Sequence, residues 1–327
     1  MKHILCPTFI VLLVVNCVQA AEVPFVEIEG NAAVFSPDGK KIVTVCGDSI
    51  VRILDTESGR ELKQWEERTS IPRSTAFSPD GKKIVTAGGF GNIAQIRNAD
   101  TGEVLQTFEG HTFVVHTAAF SLDGKKIITA GDTTARIWDV ESGKELQKLQ
   151  GRETLIGWLS GNSSREAFTS ASFSPDGKII VTTHSDYVPK IWDAESGKVL
   201  RTLEGHTSAV LFASFSPDGK KIVTASCDST ARIWDTESGK ELLKLDTRTA
   251  RIVLSAAFSP DGRKVVTAGD NRNIRERMVR IWDAESGKEL QTLEGHTGLI
   301  NSATFSPDGK KVVTASADNT ARIWTLE

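Results

Sequence analysis

Histidine, cysteine and methionine are scarce in this chain of 327 residues, which holds six His, four Cys, two Met and a single Tyr. His116 and His184 have no Cys or carboxylate partner at metal-like spacing, so no metal site is expected. Cys6 and Cys17 fall in the first twenty residues, leaving Cys46 and Cys227 far apart in the chain. A disulfide needs Cα atoms within about 7 Å, and two free thiols are expected instead. Excess charge of one sign is also missing: 39 Lys and Arg against 42 Asp and Glu give a net charge of −3. The basic residues are spread evenly along the chain. No stripe forms to neutralise phosphates, which argues against a nucleic-acid partner. Neither a Gly-rich phosphate loop nor a Gly-x-Ser-x-Gly turn occurs. No catalytic set and no cofactor are therefore expected.

Long apolar runs are absent after residue 20. Before it, Lys2 and His3 precede an apolar stretch from Ile4 to Val15, and Val18-Gln19-Ala20 offers a small-x-small cleavage pattern. Residues 1–20 read as a signal peptide, too short for a comfortable membrane span. The expected product is exported to the periplasm or beyond, with no membrane insertion once the leader is removed.

What is abundant is repetition. Ser-Pro-Asp-Gly, or a close variant, begins at Ser36, Ser78, Ser121, Ser174, Ser216, Ser259 and Ser306, in steps of 42, 43, 53, 42, 43 and 47 residues. A period of about 40–45 residues is that of a four-stranded propeller blade. Residues 206–245 illustrate the unit. Strands are expected at Val210–Phe215, Lys221–Ser226, Thr230–Trp234 and Glu241–Leu245, separated by the turns Ser216–Gly219 and Glu237–Lys240. Such a sheet, apolar on both faces, must stack on neighbours.

Gly-His at the start of the unit, Ser-Pro-Asp-Gly, an Asp before the third strand and Ile-Trp-Asp at its end together resemble the WD40 repeat family, here of an exported, bacterial type. The resemblance covers residues 22–327 and implies an all-β, seven-bladed β-propeller with a central channel. It also implies a buried polar set in each blade. His206, Thr224, Asp228 and Trp234 match that set, as do His296, Thr314, Asp318 and Trp324, and, with one residue deleted, His111, Thr129, Asp132 and Trp138. Repeat one has Leu54 for Trp, and repeat two has Gly91 and Arg97 at the Asp and Trp positions. In repeat six, Thr249 and Glu276 fall near the His and Asp positions. Repeats two and six are therefore expected to be the least rigid. Phe25–Gly30 resembles the fourth-strand ending Leu-Glu-Gly found at Leu203 and Leu293, whereas the last repeat stops after its third strand. The first segment should thus complete the last blade.

Departures from the period carry the functional signal. The long step of 53 holds extra chain around 151–165, including Trp158, and the step of 47 holds an insertion at 270–277 with Arg272, Arg275 and Arg277. In an up-and-down blade these two kinds of connection emerge on the same side of the disc, which the family commonly uses for partners. Near the start of each first strand lies a variable pair whose second member is small, except in repeat five, where it is Leu211-Phe212. Aromatics and Arg are enriched at binding hot spots. The expected function is non-enzymatic: a monomeric scaffold capturing a protein or peptide through Trp158, Leu211, Phe212, Arg272, Arg275, Arg277, Arg73 and His116. Trp158 and Phe212 read equally well as plugs of the channel mouth. Two alternatives are a lectin-like carbohydrate binder stacking on Trp158 and, less favoured, a hydrolase or lyase at the mouth using His116, Arg73 or Asn301.

Overall fold

The computed structural model describes residues 25–67, 72–88, 91–151, 168–247, 250–271 and 278–326. Among these residues the regular structure is all β, forming seven four-stranded antiparallel sheets. In blade five the strands run Val210–Phe215, Lys221–Ser226, Thr230–Asp235 and Glu241–Asp246, each within a residue of its expected bounds. Its first hairpin closes as the turn chemistry dictates. Ser216 Oγ donates to Asp218 Oδ1 at 2.6 Å, Gly219 N–H donates to the Ser216 carbonyl at 2.9 Å, and Gly219 sits at φ 71°.

The first strands of successive blades touch one another around the whole circuit, including blade seven against blade one, so they line the central axis. Between each neighbouring pair lies one apolar cluster. Blade five offers Val223, Ile233 and Leu245 to Val253, Phe258, Val265 and Trp282 of blade six, while its other face presents Ile222 and Trp234 to Val181, Ile191 and Leu203 of blade four. Each sheet is thus buried on both faces by its neighbours. This explains the β-branched second and third strands.

The ring closes as the terminal sequences predict. Phe25–Glu29 pairs antiparallel with the third strand of blade seven, from Phe25 opposite Trp324 to Glu29 opposite Thr320. The Phe25 ring lies 4.8 Å from that of Trp324, and Arg322 stacks 4.4 Å above Phe25 while pairing with Glu27 at 3.0 Å.

On the face carrying the Ser-Pro-Asp-Gly turns, six of the seven turn glycines rest against a proline of the preceding blade, as Gly219 does against Pro175. Gly177 meets nothing, because repeat three has Leu122 where the others have Pro, and Leu122 is 65% exposed. The hydrogen bonds of that turn are unchanged, with Gly124 N–H donating to Ser121 O at 2.9 Å. Pro at this site would stiffen the unfolded chain without disturbing the turn. Leu122→Pro should therefore stabilise the protein by about 0.5–1 kcal/mol, a rise in melting temperature of about 1–3 °C. A fall on thermal denaturation would contradict this reading of the turn.

Candidate partner-binding rim

One hydrogen bond defines which connections share an end of the ring. His206 lies between blades four and five, Asp228 lies between the second and third strands of blade five, and they meet at 2.7 Å. Both kinds of connection therefore emerge on one rim, opposite the Ser-Pro-Asp-Gly turns. The extra chain 152–167 departs from this rim between Gly151 and Phe168, which are hydrogen-bonded to Thr133 O and Asp132 O. The insertion in blade six departs between Asn271, opposite Ala250, and Met278, opposite Glu294. Trp158, Arg272, Arg275 and Arg277 themselves lie outside the described residues, as do Thr249 and Glu276.

Beneath the rim run the polar sets. In blade five Trp234 Nε1 donates to Thr224 Oγ1 at 2.9 Å, Thr224 Oγ1 lies 2.7 Å from His206 Nε2, and His206 Nδ1 reaches Asp228. One tautomer satisfies the whole chain: Trp to Thr, Thr to Nε2, Nδ1–H to Asp. Blade seven repeats it through Trp324, Thr314, His296 and Asp318 at 2.8, 2.8 and 2.9 Å. In blade three Trp138 and His111 both meet Thr129 at 2.8 Å, and His111 Nδ1 lies 3.2 Å from Asp132. The outer Asp also caps the connections, as Asp228 accepts from Thr230 N–H and Thr207 N–H. All twelve side chains are engaged in these three sets.

The Asp carboxyls make this network acid-sensitive. Burial pushes Asp132, Asp186, Asp228 and Asp318 up, but hydrogen bonds from the neighbouring His, Thr or Lys outweigh it and hold all four well below the usual carboxylate range. A carboxyl depressed in the folded state contributes stability that is present above its unfolded pKa, about 4, and is lost as pH falls toward the folded value. The melting temperature should fall steeply as pH drops below about 4, and Asp228→Asn should flatten that slope. Equal slopes for both proteins would contradict the assignment.

Four blades depart from the set, each in a different way. In blade two, Glu67 occupies the place of the glycine in Gly-His. At Gly205 a Cβ would stand 2.6 Å from the Arg232 guanidinium. Blade two has Gln95 at that arginine position, and Arg97 replaces Trp. Buried Glu67 accepts from Arg97 Nε at 2.9 Å, from Thr86 Oγ1 at 3.1 Å and from Trp65 Nε1 at 3.1 Å. Three exchanges together rebuild a satisfied network. Blade six keeps Trp282 Nε1 on Thr267 Oγ1 at 2.8 Å. In blade one the threonine of the set, Thr44, has its Oγ1 buried without a partner, and Leu54 stands in place of Trp. Among the described residues, then, blade two carries a rebuilt network and blade one the unpartnered threonine.

Blade four brings a histidine and a carboxylate side by side. His184 does have a carboxylate neighbour: its Nδ1 lies 3.5 Å from Asp186, which also holds Lys190 at 2.7 Å. No group of three metal-ligating side chains forms among the described residues. Cys46 and Cys227 are both free, as expected, and burial pushes the Cys46 thiol up to about 11.

Nearer the axis, the variable pair is a β-bulge. The register slips between Val115 and Thr117, Phe168 and Ser170, Val210 and Phe212, Val253 and Ser255, and Ile300 and Ser302. The extra residues are His116, Thr169, Leu211, Leu254 and Asn301, and Asn31 and Arg73 precede the first strands of blades one and two at the same place. A bulge re-aims a side chain and strengthens local twist. Together these seven residues ring the channel mouth. Neighbours within the ring interact: Asn301 Nδ2 donates to Asn31 O at 3.1 Å, and Thr169 Oγ1 donates to Val210 O at 2.7 Å. Burial, then the positive charge of Arg73, hold His116 below the ordinary imidazole range. Of the expected contact residues, Arg73 is exposed, His116 and Leu211 are half-buried, and Phe212 is half-buried against the cluster between blades five and six.

Two rim aromatics escaped the sequence reading. Phe113 follows His111 and is 59% exposed, and Tyr187, in the second connection of blade four, is 44% exposed. Tyr187 has φ 68°, at a turn position filled in blades one, five and seven by Ser49, Ser229 and Asn319. Small polar residues tolerate that conformation, whereas a bulky one pays in strain. The single Tyr of the chain at a position otherwise held by Ser or Asn was the available signal.

No helix among the described residues is long and apolar enough to cross a membrane. The family model described as WD domain, G-beta repeat, matches residues 102–139, 153–193, 197–235, 239–283 and 287–325, more than half of the chain. Similar curated proteins include mitochondrial division protein 1 of Vanderwaltozyma polyspora, 34% identical over 86 residues that make up 24% of this chain and 12% of that protein. Nuclear distribution protein PAC1 of Coccidioides posadasii is 35% identical over 79 residues, 24% of this chain and 14% of its own length. Pre-mRNA-processing factor 19 of Oryza sativa subsp. japonica is 38% identical over 79 residues, 24% of this chain and 13% of its own. The aligned segment is thus a small part of each relative. Seven like blades, the repeated His–Thr–Trp–Asp network and the matched repeats together make this chain a member of the WD40 family.

Proposed function

We propose that the protein is an exported, monomeric, non-enzymatic platform that captures a protein or peptide on the rim carrying the bulge ring and the two insertions. The family is generally one of non-catalytic interaction scaffolds, which supports the reading. Export rests on the leader pattern of residues 1–20. The single observation that carries the rim assignment is Tyr187, an exposed aromatic kept at φ 68° where smaller residues serve the other blades. Strain retained at a solvent-facing position points to a role other than folding. Phe113, Arg73 and Leu211 lie on the same rim, and the insertions bearing Trp158, Arg272, Arg275 and Arg277 leave from it.

The test separates folding from binding. Tyr187→Asn relieves the left-handed strain and should raise stability by about 0.5–1 kcal/mol. The same substitution should weaken retention of the partner captured from cell-envelope extract. Lost stability with unchanged capture would overturn the role given to Tyr187. Capture that also survives Ala at Trp158, Phe212, Arg272 and Arg275 would reject the rim.

A further inference from the structure

The bulge ring is not uniform in chemistry. In circular order from blade seven through blade six it reads Asn301, Asn31, Arg73, His116, Thr169, Leu211 and Leu254. Four consecutive blades contribute hydrogen-bonding or cationic groups, two consecutive blades contribute leucines, and Thr169 separates the arcs on one side. In a seven-membered ring blade two stands across from blades five and six. Arg73 therefore faces Leu211 and Leu254 over the channel mouth, with Phe212 half-buried beside Leu211.

Arg73 is the one permanently charged side chain among these seven ring residues. The arginines of the third strands are largely buried and paired, Arg136 with Glu145 at 2.7 Å and Arg232 with Glu241 at 2.6 Å. Arg73 is exposed and enters no ion pair among the described residues. Its position is fixed nonetheless: its backbone N–H donates to Ala87 O at 2.8 Å, and Gly88, at φ 135°, leaves no room for a Cβ beside that nitrogen. The nearest other titratable group of the ring is His116, which stands below the ordinary imidazole range and leaves the guanidinium as the lasting charge. Glu67, under blade two, is neutralised by Arg97. An exposed guanidinium on an anchored backbone, without an ion pair among the described residues, is a ready donor to a carboxylate.

Resting on the rim assignment above, we infer that the mouth takes an extended segment of a partner protein bearing an acidic side chain and an aliphatic side chain. The carboxylate meets Arg73, flanked by the Asn31 and Asn301 amides. The aliphatic group meets Leu211 and Leu254 across the ring. Charge complementarity at one arc and apolar burial at the other fix the direction of the bound segment.

The experiment is selection of binders from an unbiased phage-displayed peptide library with the full chain immobilised. Selected sequences, synthesised with amidated C-termini, are measured by fluorescence polarisation. The expected binders are enriched in Asp or Glu together with Leu, Ile or Val. They lose at least about tenfold in affinity with Arg73→Glu and again with Leu211→Ser or Leu254→Ser, in variants whose melting temperatures match the parent. Arg73→Glu selected afresh should favour Lys or Arg at the former acidic position, an inversion that a merely structural role would not produce. Binders lost on rim substitution yet without acidic enrichment and indifferent to Arg73→Glu would overturn this inference and leave the rim reading standing. Binders indifferent to every rim substitution, or none at all, would overturn both.

Discussion

Deletion of residues 22–30 is expected to lower the melting temperature by about 10 °C or more. The segment Phe25–Glu29 is the fourth strand of blade seven, so its loss opens the ring at the one seam closed by non-consecutive chain. Buried Ile28 and half-buried Val26 leave a cluster with Ala321, Ile323 and Leu54 that joins blades seven and one. The Arg322–Glu27 pair and the Arg322–Phe25 stack go with them. Losing a buried isoleucine costs about 2–5 kcal/mol, and each ladder hydrogen bond about 1 more. The total, on the order of 5–10 kcal/mol, is comparable with the whole stability of a typical domain. The bared edge of Thr320–Thr325 should also promote self-association, because an unpaired strand of alternating apolar residues recruits another. A peptide of residues 22–30 added in trans should recover part of the loss. An unchanged melting temperature would mean that blade seven is finished by other chain.

A second large effect comes from a single hydroxyl, and its control is the same substitution elsewhere. Thr224→Val removes the group that accepts from Trp234 Nε1 and meets His206 Nε2, both in a wholly buried site. Two polar groups are left without partners, at about 1–3 kcal/mol each. Stability should fall on the order of 2–5 kcal/mol in chemical denaturation. Thr44→Val changes the equivalent position of blade one, where the hydroxyl already lacks a partner and Leu54 stands in for Trp. Removing an unsatisfied buried hydroxyl releases its desolvation penalty, so this variant should be neutral or more stable. Equal losses for the two variants would contradict the network account.

The Trp-bearing strand, the Ser-Pro-Asp-Gly turn and the closing strand were all legible because each is a local pattern repeated in register. Leu203-Glu204-Gly205 and Ile28-Glu29-Gly30 carry the same information about a strand end, and the pairing of Phe25 with Trp324 follows from it. The replacement network of blade two was not legible. Glu67 lies 19 residues before Thr86 and 30 before Arg97, and only the folded sheet reveals that it fills space vacated by an arginine. His184 was hidden in the same way: it sits at the position of Ser226, and its relation to Asp186 depends on how the second strand ends. The bulges left a trace, the variable pair, but the one-residue slip that lifts Leu211 out of the ladder while Phe212 stays paired with Ala225 has no compositional signature. Tyr187 needed a dihedral angle to become informative, since an exposed Tyr in a turn is otherwise unremarkable.

Hydrogen–deuterium exchange of the protein, alone and saturated with a captured partner, tests the rim assignment most directly. Protection is expected at the starts of the first strands, around residues 31–32, 73–74, 116–117, 211–212, 254–255 and 301–302, and at Phe113 and Tyr187. Protection confined to the Ser-Pro-Asp-Gly turns on the opposite face, or to the outer strands of the blades, would contradict it.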